Sequence, residues 1–312
     1  DYFPFSHEAG FNFPKKRVID FIKEICALPC DKIFHNATYD VGWLHREGVT
    51  VKGRIIDTMI VAPLINENMY WYTLNSLGQE YLQEGKSEAE LRQAAEEWGV
   101  DPKAEMWRLP SAYVGTYAAQ DAALTLKLWN HFKIHLEDQN LWNIFNLETD
   151  LFPALFNMKL TGVRVDLERA DGLKKQLVAK EQKLIKEVAK ESGIKEVRIW
   201  AATSVAQVFD ACKIPYNHTA KGAPSFTKGF LASQKHPVAQ MIMKIRELNK
   251  AHSTFIDTII KHEHNGRIHA DIRQLKGETG GTVTGRLSMS NPNLQQVPAR
   301  DKEIGPLIRS LF

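Results

Sequence analysis

The chain has 312 residues, enough for two ordinary domains, of which 44% are hydrophobic and 25% are charged. This composition is typical of a globular protein and excludes a disordered chain or a fibre. No apolar run approaches the roughly 20 residues that a membrane span needs, and no secretory signal begins the chain, so we expect a cytoplasmic protein without a membrane partner. The net charge of +3 is compatible with nucleic acid but does not by itself indicate it.

The N-terminal half alternates short apolar runs with helical patterns, which predicts an α/β fold. The predicted elements are a helix over residues 16–28, strands over 32–34 and 54–60, a helical stretch over 87–98 and a long helix from 111 to about 137. We expect this first domain to close near residue 148.

The C-terminal half is predicted to be mainly helical. A short strand over residues 160–166 ends in Asp166 as a helix cap, a helix follows to residue 192, and a second long helix begins at Pro237. Both helices are amphipathic and are expected to pack as an antiparallel pair. Residues 200–236, rich in Ser, Thr, Lys, Gly and Pro, are expected to form an exposed tip between them.

Asp121 stands out in the long helix from residue 111. It shares one helical face with Tyr113, Tyr117, Leu124, Leu128 and Phe132. Since burying an unpaired carboxylate costs several kcal/mol, Asp121 should meet a cation, a hydrogen-bond donor or a metal. Tyr117, one turn earlier, points into the same neighbourhood.

A second carboxylate, Asp40, lies where a predicted strand gives way to a helix. Two carboxylates from different elements could hold divalent ions and hydrolyse a phosphodiester. The alternative is that Asp121 pairs with a core Lys or Arg while Asp40 caps its helix. Spacing alone favours that second interpretation.

Residues 36–40 (NATYD) and 117–121 (YAAQD) resemble the second and third exonuclease motifs of the DEDDy class in bacterial and phage polymerase I-type enzymes. The resemblance implies a ribonuclease H-like fold and a two-metal site for Mg²⁺, with Mn²⁺ as a substitute. Asp40 and Asp121 would be metal ligands and Tyr117 would orient the attacking water, while Asn36 and Tyr39 would place the 3′ end of the strand.

The first motif of that class, an Asp-x-Glu pair on an opening strand, would precede Tyr2. We therefore expect the N-terminal strands of this domain to be missing and its catalysis to be crippled.

Residues 284–298 (TGRLSMSNPNLQQVP) resemble the TGRLSSxxPNLQNIP segment of family A DNA polymerases. Glycines let a backbone approach a ligand closely, and Arg, Asn and Gln side chains suit minor-groove acceptors and phosphates. In the family this segment contacts the primer-template duplex. The resemblance implies DNA contacts for Thr284, Arg286, Asn293 and Gln295.

Further resemblance to the polymerase thumb extends through residues 160–166, 221–227 and 246–250. Basic and hydroxyl side chains there are suited to phosphates without reading the base sequence. The candidate phosphate contacts are Lys221, Ser225, Thr227, Arg246 and Lys250. The alternative for any single lysine is a solvated charged surface.

The resemblance as a whole implies a fragment of a DNA-directed DNA polymerase with a proofreading 3′-5′ exonuclease. Residues 1–148 would be the exonuclease domain, and residues 149–312 the thumb and the beginning of the palm, with the chain truncated at both ends. Expected partners are primer-template duplex and a single-stranded 3′ end, with dNTPs bound only by the intact parent, and the chain is expected to be a monomer. The alternatives are an inactive duplex-binding module and a free-standing ribonuclease D-like exonuclease.

Overall fold

The computed structural model describes residues 1–86, 88–277, 280–298 and 301–312. The chain forms two compact units. Unit 1 contains Asp1–Leu160 and Ile272–Ser288, and unit 2 contains Thr161–Asp271 and Met289–Phe312. Two short strands, β8 (Asp271–Arg273) and β9 (Ser288–Ser290), lie at the positions where the chain passes from one unit to the other.

Unit 1 is built on two short parallel strands, β1 (Lys32–Phe34) and β2 (Ile55–Asp57). Phe34 is opposite Asp57 in the register, so both strands end at the same edge of the sheet. The helices of this unit are α1 Lys15–Ala27, α2 Ala37–Arg46, α3 Thr58–Ile65, α4 Leu74–Leu82, α5 Ala89–Trp98, α6 Ser111–Asp138 and α7 Trp142–Thr161. Helices α2 and α3 begin directly after the two strands, at that shared edge.

The core of unit 1 forms where α6 packs against α3, α4 and β1. Its fully buried side chains include Ile56, Tyr72, Leu77, Leu128, Phe132, Leu136 and Phe145. The predicted apolar face of α6 is therefore confirmed from Leu124 to Phe132. Asp121 lies one turn before Leu124 on the same face. The sequence-based division at residue 148 falls inside α7.

The prediction of a strand through residue 60 was wrong beyond Asp57. The Asp57 carboxylate accepts the backbone N–H of Met59 at 2.9 Å and caps α3, which ends the strand. At the other end, β2 follows Gly53, which has a φ of 80°. A Cβ atom on Gly53 would lie 2.2 Å from the Cys30 carbonyl oxygen, so only glycine fits this turn. The predicted helix over 87–98 is confirmed as α5, although Ser87 lies outside the described residues.

Unit 2 is mainly helical. Its elements are β3 Val163–Arg164, α8 Leu167–Ser192, α9 Ala202–Ala211, β4 Asn217–His218, β5 Pro224–Ser225, α10 Lys228–Ser233, α11 Pro237–Lys250, α12 Asp257–Lys261, β6 Glu263–His264, β7 Arg267–Ile268 and α13 Ile304–Arg309. A π-helical turn, Ala251–Ile256, joins α11 to α12. Strand β7 pairs antiparallel with both β3 and β6.

The predicted antiparallel helix pair is confirmed. Asn249 in α11 binds Glu181 in α8 at 2.9 Å, whereas Asp257 farther along binds Lys174 nearer the start of α8, at 2.7 Å. Asp166 caps α8 by accepting the N–H of Arg169 at 2.9 Å, as expected.

Residues 200–236 are more ordered than a polar tip. They contain α9, α10 and the β4–β5 hairpin, and they bury Val205, Phe209, Phe226 and Leu231 against α11 in a core of their own. The expectation of a simple exposed tip was wrong because these apolar residues are scattered among polar ones and follow no single period. In the described part of the chain, no helix is both long and apolar enough to cross a membrane.

Candidate functional site

Asp57 organises the edge where β1 and β2 end. The residue is only 7% exposed, and its carboxylate accepts the backbone N–H groups of Asn36 at 2.9 Å, Ala37 at 2.8 Å and Met59 at 2.9 Å. One side chain therefore caps the starts of both α2 and α3. Sequence analysis missed this residue, although a carboxylate followed by a helical pattern was a usable signal.

The Asp57 contacts hold Asn36 in a left-handed backbone conformation, with a φ of 66°. Asn is one of the few residues that adopt this conformation readily. The chain turns sharply there and presents the next turn, with Tyr39 and Asp40, on the outer face of α2. Tyr39 is 63% exposed. Asn36, Tyr39 and Asp40 therefore lie at the start of α2, and the acceptor that caps this helix is Asp57, so the interpretation of Asp40 as its cap was wrong.

The Asp40 carboxyl binds its proton more tightly than an ordinary aspartate does. Burial, followed by the nearby negative charge of Asp57, raises the pKa of Asp40 from 3.8 to about 6. The residue as a whole still keeps more than a third of its surface in solvent. Burial also raises the pKa of Asp57 to about 6. The three backbone N–H groups favour the charged carboxylate and lower this pKa, but burial has the larger effect.

Asp121 lies on α6 in a second cluster with Tyr117 and Lys86. The Lys86 Nζ atom donates to Asp121 Oδ2 at 2.7 Å and to the Tyr117 hydroxyl at 3.2 Å. Burial lowers the pKa of Lys86, but the hydrogen bond and charge of Asp121, with those of Tyr117, outweigh it and raise the pKa overall. Asp121 thus has the lysine partner of the second interpretation, and Tyr117 lies beside it as predicted.

Burial is also the main cause that raises the pKa of Tyr117, while Lys86 acts in the opposite direction. The hydroxyl therefore keeps its proton at neutral pH and can donate a hydrogen bond.

His35 lies beside the Asp57 cluster. Its Nδ1 is 2.9 Å from the Thr58 hydroxyl, next to Asp57. Burial, and then the positive charge of Lys86, lower the pKa of His35 from 6.5 to about 4, so the ring is neutral at physiological pH.

The two candidate ligands fit a divalent cation in part. Among the described residues, no three His, Cys, Asp or Glu side chains form a metal-binding group. Asp121 Oδ1, however, is buried and has no hydrogen-bond partner in that same part of the chain. Carboxylate oxygens are the donors that Mg²⁺ and Mn²⁺ prefer. Asp40 and Asp121 therefore supply two oxygen ligands of the right chemistry, and the free oxygen of Asp121 is the clearer one.

The candidate DNA contacts fall in both units. In unit 1, Thr284 and Arg286 are exposed in a turn in which the Thr282 hydroxyl donates to the Arg286 carbonyl at 2.6 Å. In unit 2, Asn293 caps a short 3₁₀-helix, Leu294–Gln296, by accepting the N–H of Gln295 at 3.1 Å.

The thumb candidates of unit 2 differ in accessibility. Lys221 and Lys250 are exposed, Ser225 is half-buried in β5, and Thr227 caps α10 by accepting the Phe230 N–H at 3.3 Å. Arg246 is different.

The Arg246 guanidinium donates to the Ile199 carbonyl at 2.8 Å and to the Phe226 carbonyl at 2.7 Å, and its carbon lies 5.3 Å from the Trp200 ring centroid. These hydrogen bonds join α11 to the segments that carry Ile199 and Phe226. The position of Arg246 on an amphipathic helix did not predict this structural role.

Two family models match the chain. Residues 7–137 match the model described as 3′-5′ exonuclease, and residues 167–312 match DNA polymerase family A. The chain is similar to a DNA-directed DNA polymerase of Pseudomonas phage M6, with 34% identity over 100% of this chain and 48% of the relative. It is 31% identical to DNA polymerase DpoZ of Vibrio phage phiVC8, over 90% of this chain and 48% of that protein.

A bacterial relative is DNA polymerase I of Treponema pallidum, with 28% identity over 90% of this chain and 27% of that protein. The chain spans about half the length of the phage relatives it matches. Among solved structures, the POL domain of Pol1 from M. smegmatis in complex with DNA primer-template and dNTP matches with a TM-score of 0.72. The match has 22% identity and covers 96% of this chain and 48% of that one, so it supports the fold.

Proposed function

We propose a function from the premise that this chain belongs to DNA polymerase family A, with a 3′-5′ exonuclease region ahead of its polymerase region. Residues 1–148 would remove nucleotides from a single-stranded 3′ end within a ribonuclease H-like fold. Residues 149–312 would grip primer-template duplex as the thumb and the start of the palm. The whole protein would copy DNA from dNTPs as a cytoplasmic monomer.

The observation that carries the exonuclease proposal is the state of the Asp121 carboxylate. One oxygen is bound to Lys86 at 2.7 Å, and the other is buried without a partner among the described residues. Leaving a buried carboxylate oxygen unsatisfied is costly, and such atoms are concentrated at functional sites. A divalent cation would satisfy it.

Asp40, Asp121 and Tyr117 would share the work of the site. A divalent cation held by Asp40 and Asp121 would supply an activated water for attack on the phosphodiester. Tyr117, protonated at neutral pH, would donate a hydrogen bond to that water. Asn36 and Tyr39, on the α2 turn beside Asp40, would hold the terminal nucleotide.

The DNA grip would use the exposed groups of each unit. Lys221, Ser225, Thr227 and Lys250 would bind phosphates, and Thr284, Arg286, Asn293 and Gln295 would follow the minor groove. We assign Arg246 to holding residues 200–236 in place, because its guanidinium already binds two backbone carbonyls.

The exonuclease proposal is tested by nucleotide release from 3′-labelled single-stranded DNA with Mg²⁺ or Mn²⁺. We expect slow release by the wild-type chain, because residues near Tyr2 hold no Asp-x-Glu pair to supply the ligands of the first motif, and loss of that release in Asp121→Asn and Asp40→Asn. Asp138→Asn is the matched control, because Asp138 lies on the same helix as Asp121 but is exposed at its end. Equal release by all variants would exclude these ligands.

A second candidate is a duplex-binding module without nuclease activity. It is favoured by the lack of a group of three metal-ligating side chains in the described residues. In that case no nucleotide is released, while duplex binding persists, weakens steeply with salt and weakens further in Arg286→Ala. A ribonuclease D-like enzyme is disfavoured by the polymerase match over residues 167–312.

A further inference from the structure

The loop between α3 and α4 presents two aromatic side chains to solvent. Tyr70 is 75% exposed and Trp71 is 53% exposed, and their rings meet edge to face with centroids 4.7 Å apart. Neither ring contributes to the core of unit 1. Adjacent large aromatic side chains left in water are an unusual use of apolar surface, and they are typical of binding sites.

The loop is held rigidly from within. Tyr72, the next residue, is fully buried, and its hydroxyl donates to the Asn66 carbonyl at 2.7 Å. The Asn66 side chain accepts the Asn68 N–H at 3.1 Å, and Thr73 caps α4. Exposed rings on a braced loop lose little conformational entropy when a ligand binds, which favours a preformed platform.

A lysine from a distant part of the chain completes the loop. The Lys276 Nζ atom donates to the Met69 carbonyl at 2.7 Å and lies 5.8 Å and 5.6 Å from the ring centroids of Tyr70 and Tyr72. Its ammonium group therefore lies beside one of the two exposed rings, that of Tyr70. Rings with a neighbouring cation match an unpaired nucleobase and its phosphate, because single-strand sites combine stacking with positive charge.

The loop is also connected to the candidate site. Helix α3, which Asp57 caps at its start, ends where the loop begins. We propose that Tyr70 and Trp71 stack on a nucleobase of single-stranded DNA upstream of the 3′-terminal nucleotide, with Lys276 beside its phosphate. This inference rests on the proposed exonuclease function and extends it to a second contact with the same strand. The faces of bases inside a duplex are covered by their stacked neighbours, so single-stranded DNA is the expected ligand.

The platform is tested by binding of a fluorescent 12-nucleotide oligothymidylate in EDTA, where no hydrolysis occurs. Trp71→Ala should weaken binding about tenfold, since stacking on one base is worth that much, and Trp71→Phe should retain most of the affinity. Trp107→Ala is the matched control, because Trp107 is 51% exposed in the same unit. Trp71→Ala should leave duplex affinity unchanged. Equal oligothymidylate binding by wild type, Trp71→Ala and Trp107→Ala would overturn the proposal.

Photo-cross-linking then locates the base. An oligothymidylate with one 5-iodouracil at an internal position should cross-link to Tyr70 or Trp71. Cross-links confined to Tyr39 and its neighbours, with none to the loop that carries Tyr70 and Trp71, would overturn the platform. Nucleotide release is read separately: no release with Trp71-dependent binding leaves the platform standing without the nuclease. Release and binding that are identical in Trp71→Ala and wild type leave the nuclease without the platform.

Discussion

The Lys86 ammonium lies 2.7 Å from Oδ2 of Asp121, and only 18% and 23% of the two side chains are exposed. The lysine comes from the segment after α4, and the carboxylate comes from the middle of α6. The ammonium compensates the negative charge of a carboxylate that the packing of α6 partly buries. The other oxygen, Oδ1, is buried and has no hydrogen-bond partner among the described residues.

Removing the lysine should expose the cost of that burial. Lys86→Met leaves the Asp121 carboxylate partly buried without its cation, so we expect the free energy of unfolding to fall by about 1–3 kcal/mol. Urea unfolding followed by circular dichroism measures it. Lys127→Met is the control: its bond to Glu84 is exposed, and we expect a change within about 0.5 kcal/mol. Equal effects of the two variants would contradict the buried pair.

The carboxyls at the sheet edge predict a pH dependence of stability. The folded pKa values of Asp40 and Asp57, about 6, lie above their ordinary value of 3.8. The folded chain therefore binds protons more tightly than the unfolded chain, and this contribution becomes more unfavourable as pH rises from about 4 to about 6. Asp40→Asn should make the resulting loss of stability smaller. Urea unfolding at pH 4, 5, 6 and 7 measures this, and an unchanged slope in the variant would contradict it.

Asp20 provides a control of opposite sign. The hydrogen bond from Lys16 lowers the pKa of Asp20, so this exposed group contributes stability that is present above its ordinary pKa and lost as pH falls. Asp20→Asn should therefore lose slightly less stability than the wild-type chain as pH falls. Asp40→Asn has the opposite dependence, because it reduces the stability lost as pH rises.

The Asp57 carboxylate, which caps both α2 and α3, should contribute strongly to the free energy of unfolding. Asp57→Ala leaves three backbone N–H groups at a buried helix edge without their acceptor, and we expect a loss of about 2–4 kcal/mol. Asp57→Asn keeps one acceptor oxygen and should lose less. Amide hydrogen exchange at Asn36, Ala37 and Met59 should accelerate in Asp57→Ala. Unchanged exchange at these three amides would show that the cap is dispensable.

Arg246 should act on stability rather than on DNA. Arg246→Lys cannot reach both carbonyls with one ammonium group, so we expect unit 2 to lose about 1–3 kcal/mol in unfolding free energy. Lys250→Ala, four residues away and exposed, should leave stability within about 0.5 kcal/mol and weaken duplex binding. If Arg246→Lys instead lost duplex affinity without losing stability, Arg246 would be a DNA contact and its structural role would be contradicted.

The helices were predictable because their apolar faces repeat with the helical period. Helices α1, α6, α8 and the start of α11 follow the predicted bounds within a residue or two. The β2 strand was extended too far because residues 58–60 are apolar in either structure, and a cap at Asp57 decides between them. The core within residues 200–236 was missed because its apolar residues come from several short elements.

The sequence by itself determined the family, through the order and content of residues 36–40, 117–121 and 284–298, and it located Asp40, Tyr117 and Asp121 on their elements. Only the tertiary structure decided which cation meets Asp121, which carboxylate caps α2 and which lysine braces the Tyr70 loop. A local pattern encodes which face of a helix is apolar. The partner of a buried polar atom is chosen by packing of segments that are far apart in the chain, as Lys276 and Met69 are, and no periodicity records that choice.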